Sequence, residues 1–343
     1  MQAMFNRDRI IKAGDLVIMY ESISKLWCVY AKPGESFQNS FGKFRHDDII
    51  GKPFGSKARA SNNSGWVYML RPTPELWTAA CARRTQILYS TDIALIVLYL
   101  DLKPGRIVLE SGTGSGSLTH SLARAVAPSG LVHTMEYNAE RCAAAENDFK
   151  KNGIADVVRI THRDVCKTGF GRPIGEADAV FLDVPSPWDV SADAFRSLKI
   201  GGRLCSFSPC IEQVQRSALA FAADGFCEVS SFECLIREFL PANIELETVA
   251  APAPSGPREA KRARIEPSLS AEADGEAEPA DHKAALAETA AQVAAPEPEP
   301  TDAVGMPTRA RTRHYVVAKA VADMRGHTGF LSVWEKPPPV GTK

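Results

Sequence analysis

Three glycines at alternating positions, Gly112, Gly114 and Gly116, stand between the apolar run Arg106-Ile-Val-Leu109 and a stretch of helical spacing that begins at Ser117. Glycine lets the backbone turn tightly and lets a ligand approach the bare main chain. The string therefore predicts a strand, a close turn and a helix whose N-terminus faces a ligand. Alone, it also suits a tight strand-to-helix turn in any α/β protein. The surrounding sequence repeats the alternation: helices are predicted near 91–100, after Gly116 and over 139–150, and strands over 106–109, 131–135, 157–161 and 179–182. Alternating β and α segments imply a doubly wound, Rossmann-like α/β sheet with helices on both faces and a ligand site at the carboxyl ends of its strands.

Acids recur at those ends. Glu110 lies just before the glycines, Glu136 closes the next strand, and Asp164 and Asp183 follow the third and fourth. A carboxylate in the place of Glu136 can accept from both hydroxyls of a ribose. Any one of the four is equally a solvated loop carboxylate or a helix cap. The turn reads Glu-x-Gly-x-Gly-x-Gly, with an acid placed to hold a cationic amino-acid end and without the third-glycine offset of Gly-x-Gly-x-x-Gly. That favours S-adenosyl-L-methionine (SAM) over a nicotinamide cofactor.

After the fourth strand comes Phe181-Leu-Asp-Val-Pro-Ser-Pro-Trp188. An acid followed closely by proline and an aromatic residue resembles the acceptor site of nucleobase methyltransferases. A ring nitrogen attacks a methyl group with its lone pair, so the acid is not needed to deprotonate it. Asp183 would orient the base through its exocyclic amine and offset the positive charge that develops. The prolines are equally a means of fixing a strand exit. Arg83, Arg84, Gln86 and Tyr89 precede the first helix of this domain, either as guides for a base leaving its stack or as an ordinary helix entry capped by Ser90 or Thr91.

Other parts of the chain have a different texture. The first 72 residues carry short alternating segments, Leu16-Val-Ile-Met-Tyr20, Leu26-Trp-Cys-Val-Tyr30 and Trp66-Val-Tyr-Met-Leu70, and read as a small all-β, barrel-like domain ahead of a domain spanning 73–343. Residues 249–307 are rich in Ala, Pro and Glu, hold no aromatic residue and are predicted to be a disordered insertion. Beyond it, His314-Tyr-Val-Val-Ala-Lys319 and Gly329-Phe-Leu-Ser-Val-Trp334 are expected to be two strands completing the interrupted sheet. The formal net charge of −1 hides a segregation: the insertion holds five Lys/Arg against eleven Asp/Glu, and the remainder 35 against 30. A mildly basic folded part permits a polyanionic partner without demanding one. The eight cysteines are scattered without zinc-ligand spacing, which signals neither a metal site nor a disulfide framework. The longest apolar run, 93–100, is far short of the roughly 20 residues of a membrane span.

The strings Arg71-Pro-Thr-Pro-Glu-Leu-Trp77, Arg84-Thr-Gln-Ile-Leu-Tyr-Ser-Thr-Asp92, Glu110-Ser-Gly-Thr-Gly-Ser-Gly116, Phe181 to Trp188 and Cys205-Ser-Phe-Ser-Pro-Cys-Ile-Glu-Gln-Val-Gln215 occur in order. Together they resemble the catalytic subunits of eukaryotic tRNA adenine-N1 methyltransferases that modify the T-loop. The resemblance runs over 13–250 and resumes at 326–329. It implies a class I SAM-dependent methyltransferase fold. SAM would be held by Leu88, Glu110, Ser111, Gly112, Gly114, Ser115, Gly116, Ser117, Glu136, Arg141, Asp164, Val165 and Asp183, with Asp183 as the catalytic acid. Contacts to tRNA are implied for Gln86, Tyr89, Ser90, Pro185, Ser186, Pro187, Ser206, Ser208, Gln213 and His327. The resemblance also implies a nuclear heterotetramer of two catalytic and two non-catalytic RNA-binding subunits. The basic cluster Pro257-Arg-Glu-Ala-Lys-Arg-Ala-Arg264 suits nuclear import or, equally, a solvated charge run. Two alternatives stand beside this reading: a homotetrameric bacterial-type enzyme of the same chemistry, and a non-catalytic RNA-binding scaffold, which predicts a decayed glycine turn and a missing acceptor acid.

Overall fold

The computed structural model describes Met4 and residues 8–237, 239–248, 311–321 and 329–339. The chain divides into two compact units, one of Met1–Ile236 with Met324–Lys343, the other Arg237–Asp323.

The first unit opens with strands β1 (Leu16–Ser22), β2 (Lys25–Tyr30), β3 (Ser36–Asn39), β4 (Gly42–Arg45), β5 (Lys57–Arg59) and β6 (Trp66–Leu70). They form a four-stranded antiparallel sheet in the order β2-β1-β6-β5 and a separate β3–β4 hairpin. All of 16–19 in β1 is buried, although side chains alternate across a strand. Both faces are covered. Val17 and Met19 join Phe44, Val67 and Met69 in a core of the small sheet, whereas Leu16 and Ile18 join Trp77, Ile96 and Leu122 in the larger core.

Helix α1 (Pro74–Ala80) begins where Thr73 Oγ1 accepts from the Leu76 amide at 3.2 Å, with Pro74 at its first position. Then follow α2 (Ser90–Tyr99), β7 (Ile107–Ser111), α3 (Ser117–Val126), β8 (Leu131–Glu136), α4 (Ala139–Lys151), β9 (Val158–His162), α5 (Val165–Thr168), β10 (Ala177–Leu182), α6 (Ser191–Ser197), β11 (Leu198–Ser208), α7 (Ile211–Ala223) and β12 (Cys227–Glu233). After β13 (Phe239–Thr248) and β14 (Arg311–Ala320) the described chain ends on β15 (Phe330–Glu335). A seven-stranded sheet runs β12-β15-β11-β10-β7-β8-β9. It is parallel from β11 through β9, and β15 lies antiparallel between β11 and β12. The β7, β8 and β10 runs are almost wholly buried, as expected of strands covered on both faces. Phe181 and Phe221 are among the fully enclosed side chains, each contributing about 2–3 kcal/mol of transfer free energy.

The two downstream strands expected to complete this sheet part company. Gly329 to Trp334 does so as β15, whereas His314 to Lys319 lies in β14 and pairs with β13. That hairpin is the described part of the second unit, in unbroken register from Phe239↔Ala320 to Thr248↔Arg311. The physical reason is β13, a strand the sequence reading did not anticipate, which offers β14 a full-length partner. The expected insertion at 249–307 lies outside the described residues, between the paired ends Thr248 and Arg311.

Candidate active site

The four acids gather at the carboxyl ends of the adjacent strands β9, β8, β7 and β10, as the alternation predicts. The glycine turn is their hub. Gly112, Gly114 and Gly116 all have positive φ, +97°, +54° and +73°. A Cβ on Gly112 would stand 2.3 Å from the Asp183 carbonyl oxygen, and one on Gly114 2.6 Å from Thr85 Oγ1. Only bare backbone fits between the ends of β7 and β10, where the Asp183 amide also donates to Ser111 O at 2.9 Å.

The hydroxyls along the turn brace it from behind. Ser115 Oγ accepts from the Arg84 amide at 2.8 Å, and Ser117 Oγ donates to Leu88 O at 3.0 Å while meeting Thr78 Oγ1 at 2.8 Å. The Arg84 guanidinium turns inward to Asp148 at 2.7 Å, so it braces the turn rather than guiding a substrate. Below Gly116, His120 is fully buried. Its Nδ1 lies 2.6 Å from Gly116 O, which can only accept, so Nδ1 carries the proton and Nε2 accepts from Asn152 Nδ2 at 2.9 Å. Burial pushes this imidazole down to about 4, which keeps it neutral.

The acids differ by environment. Glu110 is 1% exposed, with Thr119 donating to its Oε2 at 2.8 Å. Its Oε1 is buried without a partner, and burial pushes the carboxyl up to about 7, with the charges of Asp183 and Glu136 adding to the effect. Glu136 is also buried but richly bonded: Arg141 donates through NH2 at 2.7 Å and Nε at 3.1 Å, Asn138 N at 3.0 Å, and Gly114 N reaches Oε2 at 3.0 Å. Only Oε2 has acceptor capacity left while Arg141 holds the other oxygen. Asp164 caps α5 through the Cys166 amide at 3.2 Å and pairs with Lys167 at 3.0 Å; Val165 beside it is buried. Asp183 is exposed as a residue, yet its carboxyl is walled by protein. That crowding first, and repulsion from Glu136 second, push it up to about 6.

The residues expected to touch substrate are divided. Gln86 is exposed, Tyr89 is half-buried with the Arg83 guanidinium 5.8 Å from its ring, and Ser90 lines a cavity of about 470 Å³ between α1, α2 and α3. That cavity carries the Glu75–Arg124 pair but none of the four acids, so the chemistry belongs to the strand ends instead. Pro185 is exposed, Ser186 half-buried and Pro187 buried. Gln213 Nε2 ties α7 to this loop by donating to Pro185 O at 3.2 Å. Ser206 and Ser208 are buried at the end of β11 and present no side chain to solvent. His327 lies outside the described residues. Reading the sequence missed Thr85, Thr119, His120 and Asn138, whose roles rest on contacts across the fold. Among the described residues no group of three His, Cys, Asp or Glu side chains is placed to hold a metal ion, and no helix is long and apolar enough to cross a membrane.

The site fits a cationic nucleoside cofactor. A buried carboxylate oxygen without a donor sits beside a cradle that any Cβ would fill, and a second acid stands one strand away, which suits the ammonium group and the ribose of SAM. The fold is that of the class I SAM-dependent methyltransferases. The chain belongs to the family of the tRNA methyltransferase complex GCD14 subunit, which matches residues 65–336. It is 45% identical over 239 residues to the tRNA (adenine(58)-N(1))-methyltransferase catalytic subunit trmt61a of Dictyostelium discoideum, covering 69% of this chain and 77% of that one. The catalytic subunit TRM61 of Cryptococcus neoformans is 44% identical over 237 residues, 68% of this chain; the chain spans 54% of that relative's length. Among solved structures, the tRNA (m1A58) methyltransferase TrmI of Aquifex aeolicus shares the fold with a TM-score of 0.61 and 23% identity, over 96% of this chain and 99% of that one.

Proposed function

We propose that this chain is a catalytic subunit that transfers a methyl group from SAM to N1 of an adenine in the T-loop of tRNA, giving 1-methyladenosine. The observation that carries the proposal is the seam of Gly112 against Asp183, which puts the cofactor turn and the acceptor acid in direct contact. When bound, SAM supplies a methyl group on a positively charged sulfur. The chain's own residues do the rest. Glu110 Oε1 would accept from the ammonium group, the free lone pair of Glu136 Oε2 would take a ribose hydroxyl, and Arg141 keeps Glu136 aimed. Asp164 and Val165 would flank the adenine end.

In the acceptor mouth, the Asp183 carboxylate accepts from the exocyclic amine of the target adenine. This leaves the N1 lone pair free and offsets the positive charge that appears on the ring as the new bond forms. Fixed groups are suited to this work because they need no reorganisation during the reaction. An adenine within folded RNA must leave its stack to reach the mouth, and Tyr89, Gln86 and the 185–187 loop are the groups that would receive it.

The chain works with a non-catalytic RNA-binding subunit, two copies of each, and resides in the nucleus. Supporting the first point is the family's description as part of a complex; for the second, the basic cluster at 257–264. The test is methyl transfer from labelled SAM to unmodified tRNA, by the chain alone and with such a subunit, followed by nucleoside mass spectrometry. 1-Methyladenosine formed only with the partner supports the whole reading. Activity of the chain alone keeps the chemistry and overturns the assembly, and silence in both overturns the acceptor.

A further inference from the structure

The aromatic residue of the acceptor loop has an occupant. Trp188 lies in a single 3-10 turn, Pro187–Val190, directly after the loop, and the Arg216 guanidinium sits 4.0 Å from the centre of its ring. Arg216 is on α7, one turn beyond Gln213, and positions three apart share a helix face. Gln213 is the residue that bonds Pro185 O, so the same face of α7 grips the acceptor loop at two points. Arg216 is exposed, and among the described residues no carboxylate pairs with it. Most cations near this site are otherwise engaged: Arg84 by Asp148, Arg141 by Glu136, Lys167 by Asp164.

A guanidinium stacked on an aromatic face keeps its N–H donors free around its edge. The stack fixes the long side chain in advance, so less freedom is lost when a ligand binds. A planar fork held this way matches a phosphate diester. We propose that Arg216, on its Trp188 pedestal, is a phosphate clamp at the rim of the acceptor mouth, gripping the RNA backbone beside the nucleotide whose base enters. In this view Trp188 serves to hold Arg216.

This inference rests on the tRNA reading above, and its test separates the two. The full chain, alone and with its non-catalytic subunit, would carry Arg216→Gln, Arg216→Lys or Trp188→Leu. Binding of an unmodified tRNA transcript would be measured against salt concentration, alongside SAM affinity and turnover. Arg216→Gln is expected to weaken tRNA binding about tenfold and to lower the slope of log affinity against log salt by about 0.7–0.9, the loss of one phosphate contact. SAM affinity and kcat at saturating tRNA should stay within about twofold, since Arg216 touches neither cofactor nor base. Arg216→Lys should restore the slope and only part of the affinity, and Trp188→Leu should weaken binding with the slope kept. An unchanged tRNA affinity and slope in Arg216→Gln overturns the clamp, as does an equal loss of SAM affinity, which would make the residue a structural brace. A wild-type chain that methylates tRNA while Arg216→Gln behaves identically refutes this inference alone. A wild-type complex that neither binds nor methylates tRNA refutes the proposed function and the clamp with it.

Discussion

Glu110→Gln should make the cofactor-free chain more stable at alkaline pH while weakening its hold on SAM. The wild-type carboxyl is held near 7 in the folded chain, against an ordinary 4.5. A raised folded value means that the folded state binds its proton more tightly than the unfolded chain does. Stability therefore falls as pH rises between 4.5 and 7, and the penalty is complete above 7. At pH 8 the ionised carboxylate costs about 3 kcal/mol, and at pH 5 about 1 kcal/mol. Glutamine removes this penalty but adds a cost of its own, because its amide nitrogen needs an acceptor beside Thr119. That cost does not vary with pH, so it cancels in the comparison of two pH values. The readout is the mutant-minus-wild-type difference in Tm, which should be more favourable at pH 8 than at pH 5 by about 2 kcal/mol, or about 4–8 °C for a unit of this size. Thermal melts at both values without SAM, and calorimetry of SAM binding at pH 8, measure both halves. A mutant destabilised equally at both pH values would show that Glu110 is not a strained charge, and an unchanged SAM affinity would remove it from the cofactor site.

Other expectations follow from the same geometry. Asp183 must be ionised to accept from the base, so kcat/KM should fall about tenfold per pH unit below a midpoint near 6, and Asp183→Asn should lower turnover, keep SAM affinity and erase this acid limb. A midpoint near 4, or a limb that survives in the mutant, counts against the role. Gly112→Ala places a methyl 2.3 Å from the Asp183 carbonyl oxygen at a φ of +97°, so it should cost about 3 kcal/mol or more and reduce SAM affinity at least tenfold; a stable mutant with normal affinity would show that the seam yields. His120→Leu strips a donor from Gly116 O and an acceptor from the Asn152 amide, for a loss of about 2 kcal/mol in a denaturant titration at pH 8; at pH 6 the loss should be smaller by about 1 kcal/mol, because the imidazole stays neutral in the folded chain while the unfolded chain binds its proton below 6.5, and an equal loss at both values would count against the buried, neutral imidazole.

How much of this was legible depends on the distance over which each feature is specified. The strand–turn–helix around Gly112 to Gly116 and the acids at 110, 136, 164 and 183 are local patterns, and the sheet order brings those strand ends together without further instruction. Pairing partners are not local. A run such as 314–319 announces a strand but not its neighbour, and β13, interrupted by Pro241 and Asn243, gave no warning of the ten-residue register it forms. Charged side chains mislead in a similar way. Arg84, in a motif next to the cofactor turn, looked free to meet RNA, yet Asp148, 64 positions away, captures it. Ser206 and Ser208 stand in a string that suggests a surface loop, but they end an eleven-residue strand enclosed by β10 and β15.

The surroundings of the four acids differ as much as their positions. Glu136 is bound by Arg141 and two backbone amides, so its carboxylate has donors whether or not the cleft is filled. Glu110 and Asp183 lack a cationic partner among the residues that shift them; burial and mutual repulsion make their charges costly. Such a cleft gains most from a ligand that arrives with positive charge at two places. An ammonium group opposite Glu110 relieves one acid, and a sulfonium centre or a methylated base near Asp183 relieves the other. Uptake at neutral pH is then coupled to release of the Glu110 proton, because the cation lowers the value that burial had raised. Were SAM bound, transfer of its methyl group would move positive charge onto the base, where the Asp183 carboxylate is placed to offset it. The same acids that make the empty cleft costly would then follow the charge as it passes from one ligand to the other, which is where stabilisation must lie for the transition state to gain more than the bound cofactor does.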